Sequence, residues 1–231
     1  GESPSAGDSH NTIGKHIFAS TGSAIDFANL TFTSKGGPGL SNSTRAVCCR
    51  GYGAPSLNHE DVCFFTMASQ QDAVDFGDNQ SGSTYLACGT ASPTRGVIIC
   101  GRDTSGTANI IEFITIATTG NSQDFGDAVN TENAVATCAG GNSTRTTVIS
   151  FITYATTGNT TQFGDLHTAN GYAAPASDRI TLVTGGGNAG GNTNRMDAVA
   201  IATGGTSTDF GDLNDSKTVM TGSSNGHGGL G

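Results

Sequence analysis

The fold is decided by the stretch Ile114-Thr115-Ile116-Ala117-Thr118-Thr119-Gly120-Asn121, which after two residues runs into Asp124-Phe125-Gly126-Asp127. Large apolar residues two positions apart predict a β-strand. The last four residues belong to a motif that occurs five times, with substitutions in the first and fourth copies, and is centred on Phe27, Phe76, Phe125, Phe163 and Phe210. These phenylalanines lie 49, 49, 38 and 47 residues apart. Such a period is typical of propeller blades and is too long for leucine-rich or tetratricopeptide repeats.

An alanine and a hydroxyl residue keep fixed distances from each motif Phe. Alanine stands eight residues before it and serine or threonine seven before it, as in Ala117 and Thr118. A large apolar residue stands nine before it, as in Ile116. If all of these belong to one strand, the alanine faces away from the large residues, where a neighbouring sheet can approach closely. We therefore expect a strand that is buried on both faces.

Further strands surround this long strand in most repeats. A strand that ends in glycine precedes it, at 46–51, 96–101, 134–141 and 180–186, and another strand follows the motif, at 83–89 and 217–221. Each repeat therefore reads as a Gly-ended strand, a long strand, a short motif strand and a fourth strand. The 38-residue interval lacks room for the fourth, which predicts one blade of three strands.

The two ends of the chain are complementary. The amino end supplies a long strand and a motif but no Gly-ended strand, and the carboxyl end stops at 224–231, where such a strand begins in the other repeats. We therefore expect an all-β fold, a five-bladed β-propeller closed by pairing of the N- and C-terminal strands, with 1–231 as a single domain. An open β-solenoid or a trimeric β-fibre is the main competing architecture.

The composition excludes several classes of protein. Charged residues make up 13% of the 231 residues, too few for helical bundles or coiled coils, and 35 residues are glycine. The net charge of −9 removes the basic footprint that nucleic-acid binding needs. The sequence shows neither an apolar run long enough to span a bilayer nor a signal peptide. Because it begins with Gly1, we expect a segment trimmed from a longer chain.

The repeats, of which 114–127 is the clearest example, resemble those of the kelch-like repeat proteins of phage virions, especially of cyanobacterial phages. The closing Gly226-His227-Gly228-Gly229-Leu230 is similar to the carboxyl termini of that group. The resemblance covers essentially the whole chain and implies a tail-fibre or capsid-surface module that engages a host receptor. True kelch repeats place a Tyr after a Gly pair and a Trp later, and this chain has no Trp.

Four residues are candidates for ligand binding. Arg45, Arg95 and Arg179 precede Gly-ended strands, and His227 takes that place at the carboxyl end. At one end of a propeller they would offer hydrogen-bond donors to an acidic or hydroxylated glycan. The alternative is structural, with each arginine paired to a motif Asp between blades.

Other motifs have simpler structural explanations. In Asp-Phe-Gly-Asp, we expect Phe to fill the core, Gly to turn the chain and Asp to bond its own backbone. Repeated carboxylates could hold calcium, but the dense ligand loop of calcium sites is absent. Gly222-Ser223-Ser224-Asn225-Gly226 matches the nucleophile elbow without its strand-turn-helix context. We therefore predict no catalytic residues, no metal and no cofactor.

The six cysteines replace apolar residues at strand positions in the first three repeats. They lack the Cys-x-x-Cys spacing of zinc sites. We expect mostly free thiols, as in a protein that matures in a reducing bacterial cytoplasm, with a Cys49–Cys63 hairpin bridge as the exception.

The predicted function is non-enzymatic binding of a host-surface glycan or protein receptor by a virion-surface module assembled in the bacterial cytoplasm. Loops at 51–60, 102–109 and 187–194 would display the binding residues. Other virion proteins are expected partners, and a stem preceding Gly1 would support homo-oligomers. The alternatives are a purely structural decoration or assembly protein, and a glycan-cleaving enzyme, for which the sequence singles out no carboxylate pair.

Overall fold

A computed structural model describes residues 10–17, 21–53, 59–82, 85–103, 106–129, 145–178, 180–218 and 222. Strands, bridges and turns account for this part of the chain, which is therefore all-β, as predicted. Because these residues form no helix, none of them supplies a helix able to cross a membrane. Two compact units, residues 1–126 and residues 127–231, are distinguished and are described one at a time.

The first unit contains one two-stranded sheet and two four-stranded sheets, all antiparallel where their pairing is described. The two-stranded sheet pairs β1 (His10–Lys15) with β2 (Ile25–Ser34). The second sheet has the order β3 (Gly39–Ser41), β4 (Arg45–Cys49), β5 (Asp61–Thr66), β6 (Val74–Asp78). The third has the order β7 (Cys88–Ala91), β8 (Arg95–Asp103), β9 (Gly106–Thr115), β10 (Gln123–Asp127).

The strands of the second unit are β11 (Thr146–Phe151), β12 (Thr161–Asn170), β13 (Ala174–Ser177), β14 (Thr181–Gly185), β15 (Thr193–Ala200), β16 (Gly205–Thr206) and β17 (Thr208–Lys217). One sheet has the order β13-β14-β15-β17. The other has the order β11-β12-β16, in which β16 runs parallel to β12. β16 therefore joins the sheet of the preceding repeat rather than that of its own.

Four of the sheets have three or four strands and resemble propeller blades, whereas five blades were predicted. The predicted grouping of strands is also corrected. The strand that follows each motif is the first strand of the next sheet, since β3 pairs with β4, β7 with β8 and β13 with β14. The third described strand of the three-stranded sheet is β16. The Gly-ended strand that was predicted for this repeat, at 134–141, lies outside the described residues.

Four of the motif phenylalanines sit at β-bulges. The register skips Phe27, Phe76, Phe163 and Phe210, so that the flanking residues pair across the ladder and the phenylalanine does not. Phe27, Phe76 and Phe125 are buried as predicted, and Phe163 is half-buried. Phe210 is 58% exposed, so the prediction that the motif Phe fills the core is wrong for the last repeat in this structure.

The apolar core lies between consecutive repeats. In the first unit the largest cluster joins Val47, Val62 and Phe76 of one sheet to Ile98 and Ile114 of the next. In the second unit a smaller cluster joins Ile149 and Leu166 to Val199 of the following repeat. Sheets that bury their faces against the next sheet along the chain are what the blade period requires.

The conserved spacing of alanine before the motif marks a turn rather than a strand. β5 and β9 end ten residues before the motif Phe, at Thr66 and Thr115. The backbone N–H of Thr118 then donates to the Thr115 carbonyl at 3.1 Å, which closes a turn around Ala117. Ala117 and its counterparts Ala68, Ala155 and Ala202 are exposed, so the expectation that this alanine faces a neighbouring sheet is wrong.

The same backbone bonds join every pair of consecutive repeats within each unit. The N–H three residues before a motif Phe donates to the carbonyl two residues after the preceding motif Phe, at 2.7 to 2.9 Å. These bonds run from Ala73 to Asn29, from Ser122 to Asp78, from Thr160 to Asp127 and from Ser207 to Asp165. We call this bond and the side-chain bonds around it the clasp.

Side chains of the later repeat complete the clasp. The hydroxyls of Ser122, Thr160 and Ser207 accept the backbone N–H groups of Gln80, Val129 and His167 at 2.7 to 3.0 Å. One residue earlier, the side-chain oxygens of Asp72, Asn121 and Asn159 accept the N–H groups of Asn29, Asp78 and Asp127. The polar loop before each motif thus satisfies the outer edge of the preceding sheet.

Candidate functional site

Arg45 is anchored between repeats. Its guanidinium carbon lies 4.5 Å above the centre of the Phe64 ring, and its Nη1 donates to the carbonyls of Ile116 and Ala117 at 3.1 and 2.8 Å. The alternative paired each arginine with a motif Asp, and here backbone carbonyls of the next repeat are the acceptors instead. A half-buried, stacked guanidinium with these acceptors stabilises the packing of two repeats.

Arg95 repeats part of this arrangement, since its guanidinium carbon lies 4.3 Å from the centre of the Phe113 ring. Arg179 and His227, the other two predicted ligand-binding residues, lie outside the described residues. Ligand binding by these four residues stays a prediction.

A different surface of the first unit brings aromatic and basic side chains together. The rings of Tyr52 and Tyr85 lie 5.9 Å apart between centres, inclined by 55°. The Nζ atom of Lys35 lies 5.0 Å from the centre of the Tyr52 ring. Arg102, whose side chain is exposed, pairs across the backbone with Tyr85. We call these four residues the tyrosine platform.

Strand-end bridges position the platform. Lys35 and Tyr52 exchange two backbone hydrogen bonds of 3.0 and 2.9 Å, and the Arg102 N–H donates to the Tyr85 carbonyl at 2.8 Å. The bridge between Lys35 and Tyr52 continues the pairing of β3 with β4 beyond both strands. The bridge between Tyr85 and Arg102 continues the pairing of β7 with β8 beyond the start of β7. Two consecutive sheets therefore each bring a bridged pair of residues to one surface.

Backbone geometry at Gly36 and Leu86 fixes the Tyr85 ring. Leu86 has a φ of 58°, and its N–H donates to the Gly36 carbonyl at 2.7 Å. Gly36 has a φ of 66°, and a Cβ there would lie 2.9 Å from Cε2 of Tyr85. Only glycine fits at residue 36, because it allows the left-handed conformation and lets the ring pack on the main chain.

The platform lies at the base of two loops that the sequence predicted as display loops. Tyr52 stands in the loop at 51–60, and Arg102 begins the loop at 102–109. The base of the first loop is closed by a 2.7 Å hydrogen bond between Nε2 of His59 and the Gly53 carbonyl. At its other side, Arg50 forms a 3.0 Å ion pair with Asp61.

The corresponding bridge in the second unit has no paired rings. There Gly171 pairs with Asn188, which accepts a 3.1 Å bond from Nη1 of Arg145. Tyr172 follows Gly171 with a φ of 56° and is 36% exposed. In the described residues, the first unit alone combines two tyrosine rings in contact with a lysine and an arginine.

The side chains of the platform are of types that bind ligands. Tyrosine rings present flat apolar faces with a polar tip, and the lysine and arginine add hydrogen-bond donors. In the described residues, groups of three or more His, Cys, Asp or Glu side chains that could hold a metal are absent. The arrangement suits a ligand that carries both apolar faces and hydroxyl or acidic groups.

Glu112 is the buried carboxyl of the first unit that has no basic partner in the described hydrogen bonds. It is 4% exposed, and its Oε1 accepts the Ser81 N–H at 2.8 Å, beside the clasp serine Ser122. Burial raises the pKa of this carboxyl, and the hydrogen bonds from Ser81 and Ser122 oppose the rise. Its Oε2 has no partner.

Cys48, Cys49 and Cys63 are free thiols in this structure. The expected Cys49–Cys63 bridge is wrong, because Cys49 faces Val62 across the ladder and Cys63 faces Cys48. Adjacent strand residues point to opposite faces, so the Cys49 and Cys63 thiols lie on different sides of the sheet. Burial raises the pKa of Cys48 to about 12 and that of Cys63 above its ordinary value.

Sequence reasoning missed the platform because it searched for residues at equivalent positions in every repeat. Tyr52 and Tyr85 are not equivalent to each other, and their contact depends on pairing at strand ends. A usable signal was their scarcity, since the chain has 4 tyrosines and one of them, Tyr52, stands in a predicted display loop. No protein-family model and no curated protein matches this chain.

Proposed function

We propose that the chain is a non-enzymatic module of a phage virion surface or tail fibre that binds a host-surface glycan through the tyrosine platform. The observation that carries the proposal is the pair of half-buried rings, Tyr52 and Tyr85, flanked by Lys35 and Arg102. Aromatic side chains and arginine are the residue types that dominate binding energy at recognition surfaces. The sequence resemblance to phage virion proteins supports the proposed location on a virion surface or tail fibre.

The rigidity of the platform supports binding as well. Its rings are held by backbone bridges and by the main chain at Gly36, so little side-chain entropy remains to be lost when a ligand binds. The negative net charge of −9 disfavours anionic polymers over most of the surface, whereas Lys35 and Arg102 provide local positive charge. A hydroxyl-rich or locally acidic sugar fits both conditions.

A glycan array probed with the purified chain tests this function. On any glycan that binds, Tyr52→Ala and Tyr85→Ala are expected to weaken affinity roughly tenfold or more, as aromatic hot spots do. Tyr52→Phe and Tyr85→Phe keep the rings and should bind nearly as the wild type does. Tyr172→Ala is the matched control in the second unit and should leave binding unchanged.

Three outcomes would count against the proposal. Binding unaffected by both alanine variants would place the site elsewhere, for example at Arg45 and Arg95. An array without any bound glycan, together with capture of virion proteins by the chain, would favour the structural alternative. Cleavage of a bound polysaccharide would overturn the non-enzymatic assignment.

We also propose that the chain forms a closed ring of five blades. The β1-β2 sheet has two described strands, which leaves one edge of β1 for a strand from 225–231. Closure would also bring another repeat against Phe210 and bury it. Phe210→Ala should then lower the melting temperature about as much as truncation of a buried motif Phe, and a negligible change would contradict closure.

A further inference from the structure

Cys48 and Cys63 lie directly opposite each other on β4 and β5. Two residues along, the Arg50 N–H donates to the Asp61 carbonyl at 2.9 Å. Hydrogen-bonded pairs recur at every second position of an antiparallel ladder, so Cys48 and Cys63 also form such a pair. The Cα atoms of these pairs lie about 5.5 Å apart, inside the roughly 4.4–6.8 Å that a disulfide spans.

The two side chains also share a face of the sheet. Cys63 is fully buried beside Phe32 and Ala73, and Cys48 packs against the same cluster. Cys49 belongs to the separate cluster on the opposite face. The backbone separation and the side-chain direction therefore both suit one bond, between Cys48 and Cys63.

We propose that Cys48 and Cys63 are a disulfide-forming pair, which closes by exchange with a small-molecule disulfide once the protein leaves a reducing compartment. Cys48 is the more exposed thiol and attacks first, so its sulfur bonds to one sulfur of oxidised glutathione and displaces one glutathione. Cys63 then attacks the Cys48 sulfur and displaces the second glutathione. The two thiols lose two electrons and two protons, and both appear on the released glutathione thiols.

The bond would reinforce the hairpin that carries part of the tyrosine platform. Tyr52 follows β4 directly, and the loop at 51–60 connects β4 to β5. A cross-link between these strands would hold the two ends of that loop together, because the linked residues lie on either side of it. The proposal stands whether or not the platform binds a glycan, since the thiols are assayed without ligand.

Mass spectrometry of the intact chain tests the pair. After incubation of the folded protein with oxidised glutathione and alkylation in denaturant, we expect two fewer alkylated thiols than the six of the reduced chain. Peptide fragmentation should place the link between Cys48 and Cys63. Because burial raises the Cys48 pKa to about 12, closure should be faster at higher pH.

Single serine variants separate this pair from the others. Cys49→Ser is the matched control on the neighbouring residue and should still lose two thiols on oxidation. Cys63→Ser should stop at a glutathione adduct on Cys48, and Cys48→Ser should form no intramolecular bond. A wild-type chain that keeps all its thiols after prolonged oxidation, or a link mapped to Cys49 or Cys88, would overturn the proposal.

Discussion

Within the described residues, the two units share the clasp, but the apolar clusters around it differ in size. The clasp bond from Ser122 to Asp78 in the first unit is 2.9 Å long, and that from Ser207 to Asp165 in the second is 2.7 Å long. Around the first lies a cluster of nine buried residues, and around the second a cluster of three. The repeat therefore specifies its backbone contacts independently of how much core surrounds them.

The difference arises from the strands that face the next repeat. β8 carries the buried run Val97-Ile98-Ile99, and β9 carries the buried Ile111 and Ile114. β12 and β17 continue past their motifs into polar sequence, in which His167 and Asn214 hold the same position relative to the motif Phe. Because the clasp is shared and the apolar clusters differ, we expect core substitutions to lower the free energy of unfolding by different amounts in the two units. Substitutions at close contacts between repeats should lower it by similar amounts.

The largest expected effect comes from truncating the motif phenylalanine. Phe76 is 2% exposed and packs edge-on against Phe64, so Phe76→Ala should cost about 3–5 kcal/mol of unfolding free energy. Phe163 packs against Phe151 in the same way but is half-buried, and Phe163→Ala should cost about half as much. Denaturant unfolding of both variants gives the comparison, and equal losses would show that the two cores are equivalent.

The glycines that follow Phe76 and Phe163 are expected to restrict substitution in both units. Gly77 has a φ of 140°, and a Cβ there would lie 2.6 Å from the Gly120 carbonyl oxygen of the next repeat. A Cβ on Gly164 would meet the Gly205 carbonyl in the same manner. Gly77→Ala and Gly164→Ala should each cost roughly 1–3 kcal/mol, because the neighbouring backbone must move.

Matched controls exist in both units for this test. Gly39 and Gly191 have open space where a Cβ would stand, so Gly39→Ala and Gly191→Ala should unfold within about 0.5 kcal/mol of the wild type. If Gly164→Ala were as harmless as Gly191→Ala, the close approach of repeats would be confined to the first unit.

The sequence predicted what depends on the repeat itself. The all-β class, the positions of the long and motif strands and the burial of Phe27, Phe76 and Phe125 follow from spacing and alternation. Spacing says nothing about which sheet a strand joins, and so β3 and β7 were grouped with the preceding repeat instead of the following one. The turn at Ala117 was missed because a turn and a strand both tolerate a small residue at a fixed position.

The candidate site depended on contacts that no periodicity encodes. Tyr52 and Tyr85 meet because two different hairpins extend past their strands, and Gly36 leaves room for a ring. Arg45 does occupy a repeated position, and there it donates to carbonyls of the next repeat. The display loops at 51–60 and 102–109 were the part of the prediction that pointed toward the platform.

The smallest expected effect concerns two buried carboxylates at the same repeat position, thirteen residues before the motif Phe. Asp197 in the second unit is paired with Nε of Arg195 at 2.8 Å, whereas Glu112 in the first has no such partner in the described ion pairs. Burial raises the folded-state pKa of Glu112 above its ordinary 4.5, so the folded chain binds this proton more tightly than the unfolded chain.

The contribution of Glu112 to stability should therefore fall as the pH rises from about 4.5 through the raised pKa. Glu112→Gln keeps an acceptor for Ser81 and removes the charge, so at pH 7 the variant should match or exceed the wild type, and the difference should shrink toward pH 4. Asp197→Asn should instead destabilise at pH 7, because Arg195 loses its partner. Chemical denaturation across this pH range decides the matter, and a Glu112→Gln variant less stable at pH 7 than at pH 4, relative to wild type, would mean that the Glu112 charge stabilises the clasp it adjoins.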